Sequence, residues 1–246
     1  MDGYLSDIDV LILCGGKGKR IRKICPHLPK PMAKIGSRHF LDIMLGYLAG
    51  FGFKRFILAV GYKANVIKGY YRKKKPTGIE ICFSEEKKPL DTGGAVKYAA
   101  KQIKSKEFFV LNGDSFCEFE PIKFLKFHRG KKACISILLQ KVAIGGDYGR
   151  VAVDRSSRIV SFDEKNPSAR NCFINAGIYL FDRKTFYLMP KRERFSLERD
   201  FFPSLAGKRI FGFRNRGFFI DIGTPERYAT ANKYFSRTVE FQYYST

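Results

Sequence analysis

Four short apolar runs, separated by stretches with helical spacing, most constrain what this chain can fold into. Residues 10–14, 55–60, 79–83 and 107–111 read as buried strands; 40–51, 64–71 and 94–103 read as helices. In the first of these helices Phe40, Ile43, Met44, Tyr47 and Leu48 share a face, and Gly50 and Gly52 stop it. Such an alternation predicts a parallel sheet with helices on both faces, and in such sheets ligands lie beyond the carboxyl ends of the strands. After a helix over 122–129 the texture turns to strands, at 133–140, 149–153, 158–163 and 175–181, with a short helix near 184–189. A strand over 217–222 and a helix from Pro225, a residue suited to a helix's first turn, follow. No linker or internal repeat interrupts the pattern, so a single domain over 1–246 is expected.

The first strand delivers "LILCGGKGKRIRKICPHLPKPM" (11–32), a loop of glycines, cations and prolines. Glycine-rich turns after a first strand let backbone N–H groups approach an anion closely. A Walker A match is absent, and the dinucleotide fingerprint G-x-G-x-x-G fails at Ile21. What remains is G-G-x-G-x-R over Gly15, Gly16, Gly18 and Arg20: a guanidinium suited to gripping phosphate oxygens, with Lys30 returned as a second charge by Pro26, Pro29 and Pro31.

Charge points the same way. The chain carries 46 Lys+Arg against 23 Asp+Glu, a net +23, spread over KGKRIRK (17–23), RKKK (72–75) and KRER (191–194). With no RNP, helix-turn-helix or zinc-finger pattern, a generally basic surface, or small anionic ligands at one or two of these clusters, is favoured over nucleic acid. No membrane partner is expected, because no apolar stretch approaches the ~18 residues of a span. The N-terminus lacks a basic n-region, and a cytosolic location follows. The 6 cysteines include no C-x-x-C pair and read as free thiols.

The opening loop closely resembles the signature of the sugar-1-phosphate nucleotidylyltransferases, the nucleotide-sugar pyrophosphorylases. The resemblance continues through "PLDTGGA" (89–95), "LNGDS" (111–115), "FDEK" (162–165), "NAGIYLF" (175–181) and "FIDIGTPERY" (219–228), in the family's order and over nearly the whole chain. It implies an α/β fold: a Rossmann-like mixed, mostly parallel sheet flanked by helices with a small β-rich sugar-binding lobe. Residues 1–120 would be the nucleotide-binding half and 121–246 the sugar-phosphate half.

The resemblance also implies roles. Leu13, Gly15, Gly16, Gly18, Arg20, Thr92 and Gly93 would border the nucleotide, and Gly149, Glu164, Lys165, Asn175 and Gly177 the sugar phosphate. Asp114 and Asp221, each expected at a strand end on the rim that carries the glycine loop, would hold Mg²⁺, a cation suited to hard oxygen ligands and bound phosphates. Arg20, Lys30 and Asp114 are the expected catalytic set. The implied reaction joins an NTP to a sugar 1-phosphate, whose second phosphate pKa of about 6 leaves its oxygen ionised and makes a general base unnecessary. A compact bacterial branch that includes D-glycero-α-D-manno-heptose 1-phosphate guanylyltransferases is most similar, which implies GTP as the nucleotide. Mannose guanylyltransferases and glucose or N-acetylmuramate uridylyl-, thymidylyl- or cytidylyltransferases are the rivals, and a non-catalytic or RNA-binding relative of the same fold is the alternative of another class. The resemblance allows a homodimer. Two positions depart from the pattern: Asp91 stands where the family commonly has glycine, and Phe219 where it has tryptophan. Asp91 near a triphosphate would repel it unless turned outward.

Overall fold

The computed structural model describes residues 5–16, 18, 20, 25–144, 148–163 and 170–237. Glu164 and Lys165 lie outside the described residues. In chain order the elements are β1 (Asp9–Leu13), β2 (Lys34–Ile35), β3 (Arg38–His39), α1 (Phe40–Gly50), β4 (Arg55–Val60), α2 (Ala64–Lys74), β5 (Glu80–Glu85), α3 (Asp91–Ala99) and β6 (Glu107–Asn112). Then come β7 (Ser115–Cys117), α4 (Pro121–Gly130), β8 (Ile135–Ile144), β9 (Arg150–Val153), β10 (Ile159–Asp163), β11 (Arg170–Asp182), β12 (Ile210–Asn215), β13 (Phe219–Asp221) and α5 (Pro225–Arg237).

Among the described residues nine strands form one mixed sheet. Its parallel part runs β6, β1, β4, β5, as the helical crossovers require. Strand β11 joins β6 antiparallel and carries β8 and β9 in turn; β12 lies parallel to β8 and β10 antiparallel to β9. The C-terminal strands therefore extend the same sheet. Side chains alternate across it. Val10 and Ile12 enter a core with Phe40 and Leu48 of α1, Ile67 of α2, Phe124 of α4 and Phe235 of α5. Leu11 faces the other core, with Val96 and Ala99 of α3 and Phe195, Phe201 and Phe202.

Three departures from the sequence reading have physical causes. Helix α3 starts at Asp91, earlier than its apolar spacing suggests, and ends in a 3-10 turn over Ala100–Gln102. Strand β13 pairs not with the main sheet but with β7, as a ribbon with Asp221 opposite Ser115. Strand β11 starts earlier than residue 175, at Arg170, and its register against β8 shifts between Asn175 and Tyr179. Gly177 sits in that shift at φ +74, a region open to glycine at little cost. All 6 cysteines are free thiols. Among the described residues no helix is long and apolar enough to cross a membrane.

Candidate active site

At the carboxyl ends of β1, β4 and β5 lies a cleft of about 710 Å³, lined by Leu13, Gly15, Gly16, Lys30, Thr92 and Asp114 among the residues expected from sequence. The sheet places them there. Cys14 N donates to Ala59 O at 2.8 Å and Gly113 N to Leu13 O at 2.9 Å, so the chain leaves β1 between the ends of β4 and β6. Gly18 turns at φ +54, and the place its Cβ would fill is 3.0 Å from Lys30 Cβ, so glycine there lets the lysine stem pass. Lys30 opens a 3-10 turn, Lys30–Met32, preceded by an extended Pro29 and anchored by buried Pro31 and Met32. The prolines thus fix the lysine's return.

Lys30 Nζ reaches Asp114 Oδ2 at 2.5 Å. Asp114 lies between β6 and β7, and Ile222 N donates to its carbonyl oxygen at 3.0 Å, which ties it to the end of β13. Asp221 at that end is nearly buried. Its Oδ1 accepts from Gly223 N at 2.7 Å, and Arg227 Nη1 approaches Oδ2 at 3.0 Å. The Tyr148 hydroxyl donates to Oδ2 as well, with the Arg227 guanidinium 4.4 Å above the tyrosine ring. Gly223 closes the group: a Cβ there would meet Asp221 Oδ1 and stand 3.5 Å from both Arg20 Nη2 and Lys30 Nζ. Arg20, Lys30, Asp114 and Asp221, scattered through the sequence, therefore surround one small space.

Of the groups around that space, Asp114 and Asp221 are the two that could hold a divalent cation, with Lys30 now on the first and Arg227 and Tyr148 on the second. Two carboxylates from adjoining strand ends supply hard oxygens beside a position that a methyl group would fill. No trio of acidic, histidine or cysteine ligands stands together among the described residues. With only two protein carboxylates, a cation held here would need water and substrate phosphates for the rest of its ligands, which is the kind of site Mg²⁺ takes.

The remaining expected residues divide. The Thr92 hydroxyl donates to Glu198 Oε2 at 2.7 Å and accepts from Leu197 N at 2.9 Å. Gly93 packs directly against the Phe195 ring and donates its N–H to Phe195 O at 2.9 Å, outside the cleft lining. Gly149, Asn175 and Gly177 meet at the start of β9: Asn175 N donates to Gly149 O at 3.4 Å, and Asn175 Oδ1 accepts from Gly177 N at 2.8 Å. They do not line the cleft, but Gly177 lies against Asn112, which does.

Sequence reasoning missed Glu86, Asn112 and Arg194. Glu86 follows β5 and faces the cleft, and a Cβ added at Gly15 or Gly61 would collide with its Oε1. Its Oε2 accepts from Leu90 N at 3.1 Å. Burial pushes its pKa up; the Leu90 N–H opposes this and the Asp91 charge adds to it. Asn112 Oδ1 is buried with no hydrogen-bond partner among the described residues, an acceptor awaiting a donor. Cys14 is no nucleophile, since burial and the Asp114 charge push its thiol far up.

Residues 9–238 match the family model described as Nucleotidyl transferase. The chain belongs to the nucleotidyl transferase family. It is 35% identical over 227 residues to the D-glycero-α-D-manno-heptose 1-phosphate guanylyltransferase of Aneurinibacillus thermoaerophilus, covering 92% of this chain and 97% of that one. It is 39% identical over 221 residues to the Campylobacter jejuni protein of the same name, covering 90% and 97%. The crystal structure of HddC from Yersinia pseudotuberculosis complexed with GMP-PN superposes with a TM-score of 0.83 at 35% identity, covering 93% of this chain and 99% of that one. Nucleotidyl transferases of this family generally use a divalent metal.

Proposed function

We propose that this nucleotidyl transferase moves a guanylyl group from GTP to a sugar 1-phosphate, with D-glycero-α-D-manno-heptose 1-phosphate as the preferred acceptor, and releases pyrophosphate. The observation that carries the choice of base is Glu86. Guanine presents N1–H and N2–H donors side by side, and a carboxylate accepts both. Thymine and uracil offer a single ring N–H between two carbonyls, which a carboxylate repels. Two glycines, Gly15 and Gly61, leave room for that carboxylate at the cleft wall. The acceptor rests on the names of the relatives from Aneurinibacillus thermoaerophilus and Campylobacter jejuni.

The glycine loop through Gly15, Gly16 and Gly18 receives the triphosphate, with Leu13 and Thr92 toward the base and Gly93 behind them against Phe195. Arg20 and Lys30 draw the phosphate oxygens together and cancel the repulsion between two polyanions, and the sugar phosphate oxygen attacks the α-phosphorus in line. Asp114 and Asp221 would hold Mg²⁺, which when bound supplies charge neutralisation at the phosphates. Lys30 begins paired with Asp114 and gains phosphate oxygens as partners when the nucleotide arrives. Gly149, Asn175 and Gly177 border the sugar, with Glu164 and Lys165 from the same half of the chain on its hydroxyl and phosphate.

A pyrophosphate-release screen tests this reading: GTP, ATP, CTP, UTP and dTTP, each with heptose, mannose, glucose and N-acetylhexosamine 1-phosphates. GTP with the heptose phosphate is expected to turn over fastest, with activity lost in EDTA and restored by Mg²⁺. A faster pyrimidine nucleotide would overturn the assignment of the base.

A further inference from the structure

Asp91 adopts φ +58 at the start of α3, a conformation in which a side chain is held at a cost. Its carboxylate accepts from Arg194 Nε at 3.0 Å, with Arg199 Nη2 at 3.7 Å. The acid that the sequence places near the triphosphate is thus already engaged by cations. Arg194 lines the cleft and, among the described residues, is its one lining residue from beyond Asp114. It comes from a loop whose backbone is pinned to the opposite wall. Phe195 N donates to Leu90 O at 3.2 Å, Gly94 N to Phe195 O at 3.1 Å and Lys97 Nζ to Pro190 O at 2.6 Å. Lys88 pairs with Glu193 at 2.6 Å beside them.

These ties put Arg194 at the end of the cleft where Glu86 stands, on the wall formed by the chain between β5 and α3, and not at the phosphate end marked by Lys30 and Asp114. With Nε engaged by Asp91, the two terminal amino groups have no hydrogen-bond partner among the described residues and can form a fork. We propose that Arg194, positioned by Asp91, reads the O6 and N7 acceptors of guanine, next to the donor edge that Glu86 accepts. This rests on the guanylyl reading above. A guanidinium makes a bidentate pair with O6 and N7. Adenine opposes it with an amino group in place of O6, and pyrimidines have no N7. One acid and one cation at the same end of the cleft would then specify guanine along both edges, and Asp91 is the positioning residue that holds the guanidinium in place.

The test is equilibrium binding of GTP, 7-deaza-GTP, ATP and UTP to the full chain, with thermal melting alongside. Wild type is expected to bind GTP more tightly than 7-deaza-GTP. Arg194→Ala is expected to weaken GTP binding about tenfold or more and to erase that preference. Asp91→Gly, which relieves the backbone, is expected to melt no lower than wild type yet to lose several-fold in GTP affinity; Asp91→Gly with Arg194→Ala should bind no worse than Arg194→Ala alone. GTP affinity of Arg194→Ala within twofold of wild type, or an unchanged preference over 7-deaza-GTP, overturns the proposal. A lower melting temperature for Asp91→Gly with unchanged affinity overturns the positioning role. Wild type binding UTP or ATP as tightly as GTP would instead refute the guanylyl reading, a result distinguishable from failure of the arginine alone.

Discussion

Lys30 Nζ lies 2.5 Å from Asp114 Oδ2, and the lysine side chain keeps only 11% of its exposure against 38% for the aspartate. The cation is thus the buried member of the pair, already stripped of most of its water, so a phosphate that reaches it meets a charge little screened by solvent. Replacing Lys30 with alanine is expected to lower turnover by about two orders of magnitude or more while the protein stays folded. Steady-state pyrophosphate release checks this, and turnover within a few-fold of wild type would remove Lys30 from the mechanism.

Gly223 offers a cleaner probe of the cation space, because it has no unusual φ and sits among functional groups rather than in the core. An alanine methyl there would meet Asp221 Oδ1, with Arg20 Nη2 and Lys30 Nζ each 3.5 Å away. Gly223→Ala should displace the Asp221 carboxylate and cost about a hundredfold in turnover, on the scale of a small misplacement of reacting groups. The melting temperature should barely move. Wild-type turnover in that variant would mean the gap beside Gly223 is dispensable.

How far the sequence could be read depended on whether a residue's role was local. Strands β1, β4 and β6 are continuous apolar runs because both of their faces are covered, and α1 shows its buried face by spacing alone. The glycine loop was legible because glycine, arginine and proline each have a conformational or charge signature. Strand β12 was not, since "IFGFRN" contains Gly212, which is needed where Leu139 crowds in from the neighbouring strand β8. Strand β7, only Ser115–Cys117, is too short to show a period.

Glu86 and Arg194 were hidden for a different reason. Each lies in a charged run, "EEKK" and "KRER", which alone reads as solvated surface. Only the pairing of β5 with β4 brings the carboxylate under Gly61, and only the backbone ties of Phe195 to α3 bring the guanidinium to the cleft. Asp114 and Asp221 were expected together, as acids at strand ends on the rim that carries the glycine loop. Their closeness depends on the β7–β13 ribbon, which no local pattern reveals.

Gly177 sits where β11 breaks its register with β8. Its φ of +74 and the 2.7 Å that would separate an added Cβ from Asn112 Nδ2 leave alanine both strained and crowded. Gly177→Ala is expected to destabilise the protein by about 1–3 kcal/mol. In a chain of this size each kcal/mol lowers the melting temperature by roughly 2–4 °C. Calorimetry checks it; an unchanged melting temperature would show that the β11 irregularity accommodates a side chain.

His128 gives stability a pH dependence whose sign can be worked out. The ring is buried on α4, with Nδ1 2.9 Å from Ser136 Oγ. Burial pushes its pKa down to about 4; Glu107 and Asp182 partly offset this, while Arg129 and Arg209 reinforce it. In the unfolded chain the ring titrates near its ordinary value of about 6.5. Between those two values the unfolded state binds a proton that the folded state refuses, so stability falls as pH falls. The loss is at most about 1.4 kcal/mol per pH unit from this group and levels off below pH 4 or so. His128→Gln keeps a polar group near Ser136 and removes the titration. Urea unfolding at pH 7 and pH 5 should therefore show a larger loss for wild type than for His128→Gln, and equal losses would assign the acid sensitivity to other groups.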